Sequence, residues 1–168
     1  MTRGESVNAE ERQKLASLIR GQRWAALATL AEGAPAASMV AYVPEADFGG
    51  FLLHLSRLAP HTRNLLADPR ASLAITEPDP GRGDPQTLAR VTIHGTVLQL
   101  PRDSHEYAAG RALYLQRLPD AERLFGFGDF MLFRLVPDGA RYIGGFARAW
   151  SLGGEELRAA AALTATGR

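Results

Sequence analysis

The segment Phe51–Glu77, FLLHLSRLAPHTRNLLADPRASLAITE, reads as strand, short helix, strand. Phe51, Leu52, Leu53 and Leu55 form an apolar run that ends at Ser56 and Arg57. Pro60, His61, Thr62 and Arg63 then open a helix, because proline at a first turn gives up only an N–H that would be unpaired anyway. Asp68-Pro69 closes it, since a residue before proline is steered out of helical geometry, and Ser72–Thr76 resumes an extended apolar pattern. The polar residues gather at the helix entrance. Free N–H groups and partial positive charge collect at such an end, so two arginines, a histidine and two hydroxyls there would suit a phosphate. The same residue types also cap helices and solubilise surfaces, and the residues alone leave both readings open.

Toward the N-terminus, Asn8 with Glu11 forms a capping-box pattern leading into a helix that presents Leu15, Leu18 and Ile19 and ends at Gly21. Trp24–Leu30 (WAALATL) fits helix or strand by period alone. The turn Ala31–Pro35 (AEGAP) argues for a hairpin with Ala36–Val43 as its second strand, and Phe48-Gly49-Gly50 makes a further turn. Toward the C-terminus, Glu77–Ala89 (EPDPGRGDPQTLA) reads as a long exposed loop, functional or mobile. Arg90–Leu98 alternates, with Val91, Ile93 and Val97 on one face and Arg90, Thr92, His94 and Thr96 on the other. Ser104 caps a helix running to about Arg117. Phe130–Val136 is a strand, Pro137-Asp138-Gly139 a turn, Ala140–Phe146 a returning strand and Glu155–Leu163 a terminal helix.

Six or seven strands with hairpin-sized connections predict a mainly β, α+β chain, an antiparallel barrel with peripheral helices; regular βαβ alternation is missing. The expected division of this single domain is an N-terminal helix over 1–22, the barrel over 23–152, and a C-terminal helix and tail over 153–168. The 168 residues carry a net charge of +1, which calls for neither nucleic acid nor an acidic membrane as partner. Cysteine is absent, which excludes disulfides and thiolate chemistry. The polar N-terminus lacks a signal-peptide core and no apolar stretch is long enough for a bilayer, so a cytoplasmic location is expected.

The four histidines show no paired ligand spacing, so no metal site is expected. His54 reads as a core or interface histidine, His94 as facing a ligand or a partner subunit, and His105 as helix surface. His61 alone stands where a helix N-terminus could use it. Ser38, Ser56 and Ser72 lack a nucleophile elbow, and Asp129, within FGFGDF, reads as a turn or cap residue. Trp24, Trp150 and the FMLF cluster are core residues or, in an oligomer, interface anchors.

The stretches HLSRLAPHTRNLLADPRASL, RVTIHGTV and FGDFMLFRLVPDGARYIGGFARA together resemble the FMN-binding split-barrel superfamily, which includes pyridoxamine 5′-phosphate oxidase. Within it the chain is most similar to the haem-utilisation, HugZ/HutZ-like branch, over about Trp24 to Leu163. The resemblance implies a homodimer of split barrels with FMN in two clefts at the interface. Ser38, Met39 and Val40 would lie along the flavin ring; Ser56, Arg57, His61 and Thr62 would surround the phosphate, and Arg90 would reach across the interface. It implies a small oxidoreductase in which flavin exchanges hydride or electrons with a small-molecule substrate or electron donor. The alternatives are a haem- or flavin-storing protein, a haem-degrading one, or a barrel that has lost its cofactor.

Two departures bear on these expectations. Pyridoxamine phosphate oxidases carry basic residues on the second strand and Ser-Arg-Lys at the helix start, where this chain has SMVAYV and Ala-Pro-His. Haem-degrading relatives use a C-terminal histidine as iron ligand, supported by an aspartate that Asp129 matches. The ligand position falls on Gly167, and no histidine follows His105.

Overall fold

The computed structural model describes residues 7–145 and 148–163; Gly167 lies outside them. Among the described residues are five α-helices and eight strands. Helix α1 (Ala9–Gly21) starts as expected, with the Glu11 N–H donating to Asn8 Oδ1 at 2.9 Å. The reciprocal half of the capping box is not made. The Glu11 carboxylate turns inward instead, where it accepts from Lys14 Nζ (3.1 Å), Arg148 Nη1 (3.0 Å) and Tyr142 Oη (3.3 Å). A buried carboxylate needs such donors to offset its lost hydration.

Strands β1 (Trp24–Ala31) and β2 (Ala34–Ala41) form the expected hairpin. Its two-residue turn holds Glu32 at φ 52° and Gly33 at φ 84°, the paired left-handed geometry that matches strand twist. The second strand stops at Ala41, short of Val43, because Tyr42 is drawn inward. The Tyr42 hydroxyl donates to the Ile19 carbonyl (2.7 Å) and its N–H to the Arg23 carbonyl (3.1 Å). Val43–Pro44 becomes a separate short strand, β3, paired with β4 (Phe51–Ser56). Helix α2 (Pro60–Ala67) and β5 (Arg70–Thr76) follow where the sequence places them, then β6 (Arg90–Gln99) and α3 (His105–Arg117), capped by Ser104 Oγ.

A short helix α4 (Glu122–Phe125) precedes β7 (Phe130–Gly145), and here the expected hairpin is wrong. No turn occurs at Pro137-Asp138-Gly139; β7 is one strand of 16 residues. β6 pairs along both halves of it, Thr96 with Val136 and His94 with Gly139, and the extra residue is taken up in a bulge beside His94 and Gly95. Gly95 permits this, since a Cβ there would overlap the Val136 carbonyl oxygen. Strand β8 (Arg148–Gly153) was not foreseen; it pairs with β7 and stacks Trp150 on Tyr142. Helix α5 (Gly154–Ala161) closes the described chain.

The sheet order is β2-β1-β5-β6-β7-β4-β3, every pair antiparallel, with β8 added beside β7. This is the antiparallel split barrel that the resemblance implied. Leu15, Ile19, Leu27, Leu73, Ile93 and Leu157 belong to its main core, which α1 and α5 close. A smaller core of Leu52, Leu100, Tyr107, Tyr114, Phe125 and Leu132 lies beneath α3 and α4. The 77–89 loop is exposed apart from its last two residues, with a 3-10 turn at Pro85–Thr87, and Glu77 and Ala89 bond across its base. No described helix is long and apolar enough to cross a membrane.

Candidate functional site

The corner between β4 and α2 is held from outside the segment that forms it. Ser56 Oγ donates to Asp129 Oδ2 at 2.6 Å and accepts the Leu58 N–H at 3.1 Å, while the Arg57 N–H donates to the Asp129 carbonyl at 2.7 Å. Asp129 therefore fixes this corner with both its side chain and its backbone. At the start of α2, Ala59 makes no side-chain cap. Its carbonyl accepts the Thr62 and Arg63 N–H groups. Pro60 has none to give, so the first turn offers a ligand little beyond the His61 N–H.

His61 lies half-buried with Nδ1 at 3.0 Å from Ser38 Oγ. The contact fixes the ring plane and leaves Nε2 for another partner. Burial lowers its pKa, which favours the neutral imidazole. In front of it opens a cavity of about 860 Å³. Met39, Val40, Leu55, Ser56, His61 and Phe130 line the barrel side, Tyr114, Leu118 and Leu124 the helical side, and Arg23 and Trp24 also contribute.

Four of the eight residues singled out in the sequence, Met39, Val40, Ser56 and His61, thus share one cavity, with Ser38 bound to His61. Arg57 is exposed beside Ser56. Thr62 is fully buried, its hydroxyl without a partner, and does not line the cavity. Arg90 does not line it either; its guanidinium donates to the carbonyls of Gln86 (3.0 Å) and Leu88 (3.1 Å). No residue of the 77–89 loop lines it.

No sequence motif singled out Arg23, Tyr114 or Leu124, and Phe130 entered only as part of the FMLF cluster. One signal was present for Trp24: WAALATL is apolar at successive positions, as in a strand covered on both faces. His54 also lines the cavity, and not as a satisfied core histidine. It is 7% exposed and stacks on Phe125 at 3.7 Å, yet neither ring nitrogen has a hydrogen-bond partner. Desolvation, then the charge of Arg102, pulls its pKa down to about 4, so it is neutral at pH 7. Burial pushes the neighbouring Tyr114 hydroxyl up to about 12.

This donor set can be tested against the two groups at issue. A phosphate at the β4–α2 corner would find the Ser56 proton already donated and the Asp129 carboxylate beside it, a like charge. The corner offers fewer donors than its composition implies. A planar apolar body with acidic side groups fits better: the walls are largely apolar, His61 presents an imidazole edge and Arg23 a cation.

Comparison with known proteins gives the chain's relatives. The chain is 36% identical to the chloroplastic haem oxygenase HOZ of Arabidopsis thaliana over 146 residues, 85% of this chain and 43% of that protein. A haem-binding protein from Mycobacterium smegmatis superposes with a TM-score of 0.77 at 35% identity, over 95% of this chain and 62% of that one. HutZ from Vibrio cholerae, described as a haem storage protein, superposes with a TM-score of 0.69 at 27% identity, over 76% and 90%. The chain spans less than half of the plant relative and about three-fifths of the mycobacterial one. The CREG, beta-barrel family model matches residues 8–156. The chain belongs to the CREG β-barrel family, on the haem-utilisation side of the split barrels.

Proposed function

We propose that the protein binds haem in the cavity between β2, β4 and the α3–α4 segment, and that it does so as a homodimer. The observation that carries this reading is His61, whose Nδ1 is engaged by Ser38 while Nε2 is left at a largely apolar wall. An imidazole oriented through its other nitrogen is the usual form of a histidine that meets a metal. Bound haem would supply iron-centred redox chemistry, and oxidative haem breakdown is the turnover to assay, given the relatives named above. His61 would meet the ligand, Ser38 would hold the ring, and Met39, Val40, Leu55 and Phe130 would exclude water. A flavin reading remains as the second arm of the test, and it requires the Ser56 hydroxyl to release Asp129.

The dimer reading is supported by the outer face of the β1–β2 hairpin. Trp24, Ala26, Ala28 and Leu30 lie opposite Ala41, Met39, Ala37 and Pro35, so one face of the hairpin is apolar throughout. Trp24 is 57% and Met39 48% exposed, and both also line the cavity. An apolar face of this kind marks an interaction site, and a second copy on it would wall the open side of the cavity.

The test is an absorption titration with haemin and separately with FMN. Wild-type protein is expected to give a Soret band with haemin, shifted and weakened at least tenfold in affinity by His61→Ala. No Soret band, or an identical one in the variant, would sink this reading. For the dimer, Trp24→Asp with Met39→Asp should halve the mass by light scattering; a wild-type monomer at micromolar concentration would remove that part.

A further inference from the structure

We propose that Arg23 is the residue of this cavity that recognises an acidic group on the ligand, a carboxylate or phosphate carried by a planar apolar body. The inference deepens the haem reading and rests on it. Arg23 stands at the joint between α1 and β1, where the backbone is pinned on both sides. The Arg117 guanidinium donates to the carbonyls of Arg20 and Gln22, the latter at 2.9 Å, and the Gln22 N–H donates to the Leu18 carbonyl at 3.2 Å. The Arg23 carbonyl in turn accepts the Tyr42 N–H at 3.1 Å. The side chain therefore springs from a fixed point, which lowers the ordering cost of any contact it makes.

That side chain is exposed, lines the cavity, and makes no hydrogen bond or ion pair with any described residue. Other arginines nearby are occupied: Arg20 on the Leu163 and Ala161 carbonyls, Arg102 on those of Phe127 and Phe130, Arg117 as above. Among the lining residues Arg23 is the one permanent cation, since His54 and His61 are held neutral by burial. Asp120 is the one carboxylate among them, and it makes no ion pair with Arg23.

The cavity thereby has a polarity. At the β4–α2 corner Asp129 already holds Ser56, and a second negative group would meet a like charge. At the α1–β1 joint a guanidinium offers a planar fork matched to carboxylate or phosphate, and the adjacent Trp24 ring gives an apolar body a surface to lie on. A ligand with acidic groups at one edge is expected to seat that edge toward Arg23.

The experiment titrates wild type, Arg23→Gln and Arg57→Gln with four probes: haemin, haemin dimethyl ester, FMN and riboflavin. The expected result is that Arg23→Gln weakens haemin about tenfold, the size of one charge-assisted contact at a half-open site, and leaves the ester unchanged. Arg57→Gln should leave both nearly as in wild type. Wild-type binding of haemin with Arg23→Gln indistinguishable from it, or with the loss in Arg57→Gln instead, overturns the assignment and leaves the haem reading standing. Binding of FMN over riboflavin without haemin, lost in Arg23→Gln, overturns the haem reading and keeps the assignment. Uptake of none of the four by wild type overturns both.

Discussion

Two buried ionisable side chains lie at opposite ends of this barrel and are treated in opposite ways. Glu11, at the junction of α1, β7 and β8, meets Lys14, Arg148 and Tyr142. His54, which lines the cavity, meets aromatic rings on its face and edge, and neither of its ring nitrogens has a hydrogen-bond partner among the described residues. A group with every partner supplied by its own chain is a device of the fold. A group left without partners on its own chain, beside a cavity, contributes shape to the fold and keeps its hydrogen-bonding capacity unused.

The largest expected effect tests the first half of that contrast. Glu11→Ala should cost about 2–3 kcal/mol in urea denaturation, because it empties a buried site and leaves the Tyr142 hydroxyl without its acceptor, while the half-exposed Lys14 and Arg148 can turn to water. A loss near zero would mean the carboxylate is replaceable by water. Gly144→Ala probes the same junction from the other side, since a Cβ there would meet the Glu11 carboxylate and lie 3.1 Å from Trp150. It should cost about 2 kcal/mol, as overpacking does, and a fully stable variant would show that the junction yields.

His54→Phe should be the mild partner in the comparison, within about 1 kcal/mol of wild type, because an apolar ring of similar shape loses no hydrogen bond there. Equal damage from Glu11→Ala and His54→Phe would dissolve the distinction. The pH dependence sharpens it further. Burial depresses His54 from 6.5 to about 4, so between those values the unfolded chain binds a proton that the folded chain refuses. Its contribution to stability is present above pH 6.5 and is lost as pH falls toward 4, and His54→Phe should flatten that part of the curve. Parallel curves for the two proteins would show that the ring reaches water.

Much of the fold was legible because the local signals agreed with one another. Asn8, Pro60 and Ser104 start helices, Glu32-Gly33 turns a hairpin, and Val91, Ile93 and Val97 mark a buried face. The misreadings came where tertiary pairing overruled such signals. Pro137-Asp138-Gly139 has the composition of a turn, but β6 pairs on both sides of it, and a glycine 42 residues away makes room. Glu11 matches a capping pattern, yet three donors brought from α1, β7 and β8 outbid one backbone N–H. At the site, Ser38 and His61 were both noted, but their contact is not a sequence property. Arg23 was not singled out and Phe130 stood only within the apolar FMLF cluster, since what distinguishes them is the cavity they both line, which no spacing encodes.

The unbroken length of β7 bears on how that cavity comes into being. β7 pairs with β4, β6 and β8, and in the first of these Leu53 lies opposite Phe133, about 80 residues along the chain. Contacts so distant close late and slowly, because a long loop must be ordered before they repay its entropy. The β1–β2 hairpin and α2 can form locally, but the wall carrying His54, Ser56 and Phe130 exists only once β4 has met β7. A nascent or partly folded chain should therefore have no binding site, and ligand uptake during refolding would report the last step of assembly rather than the first.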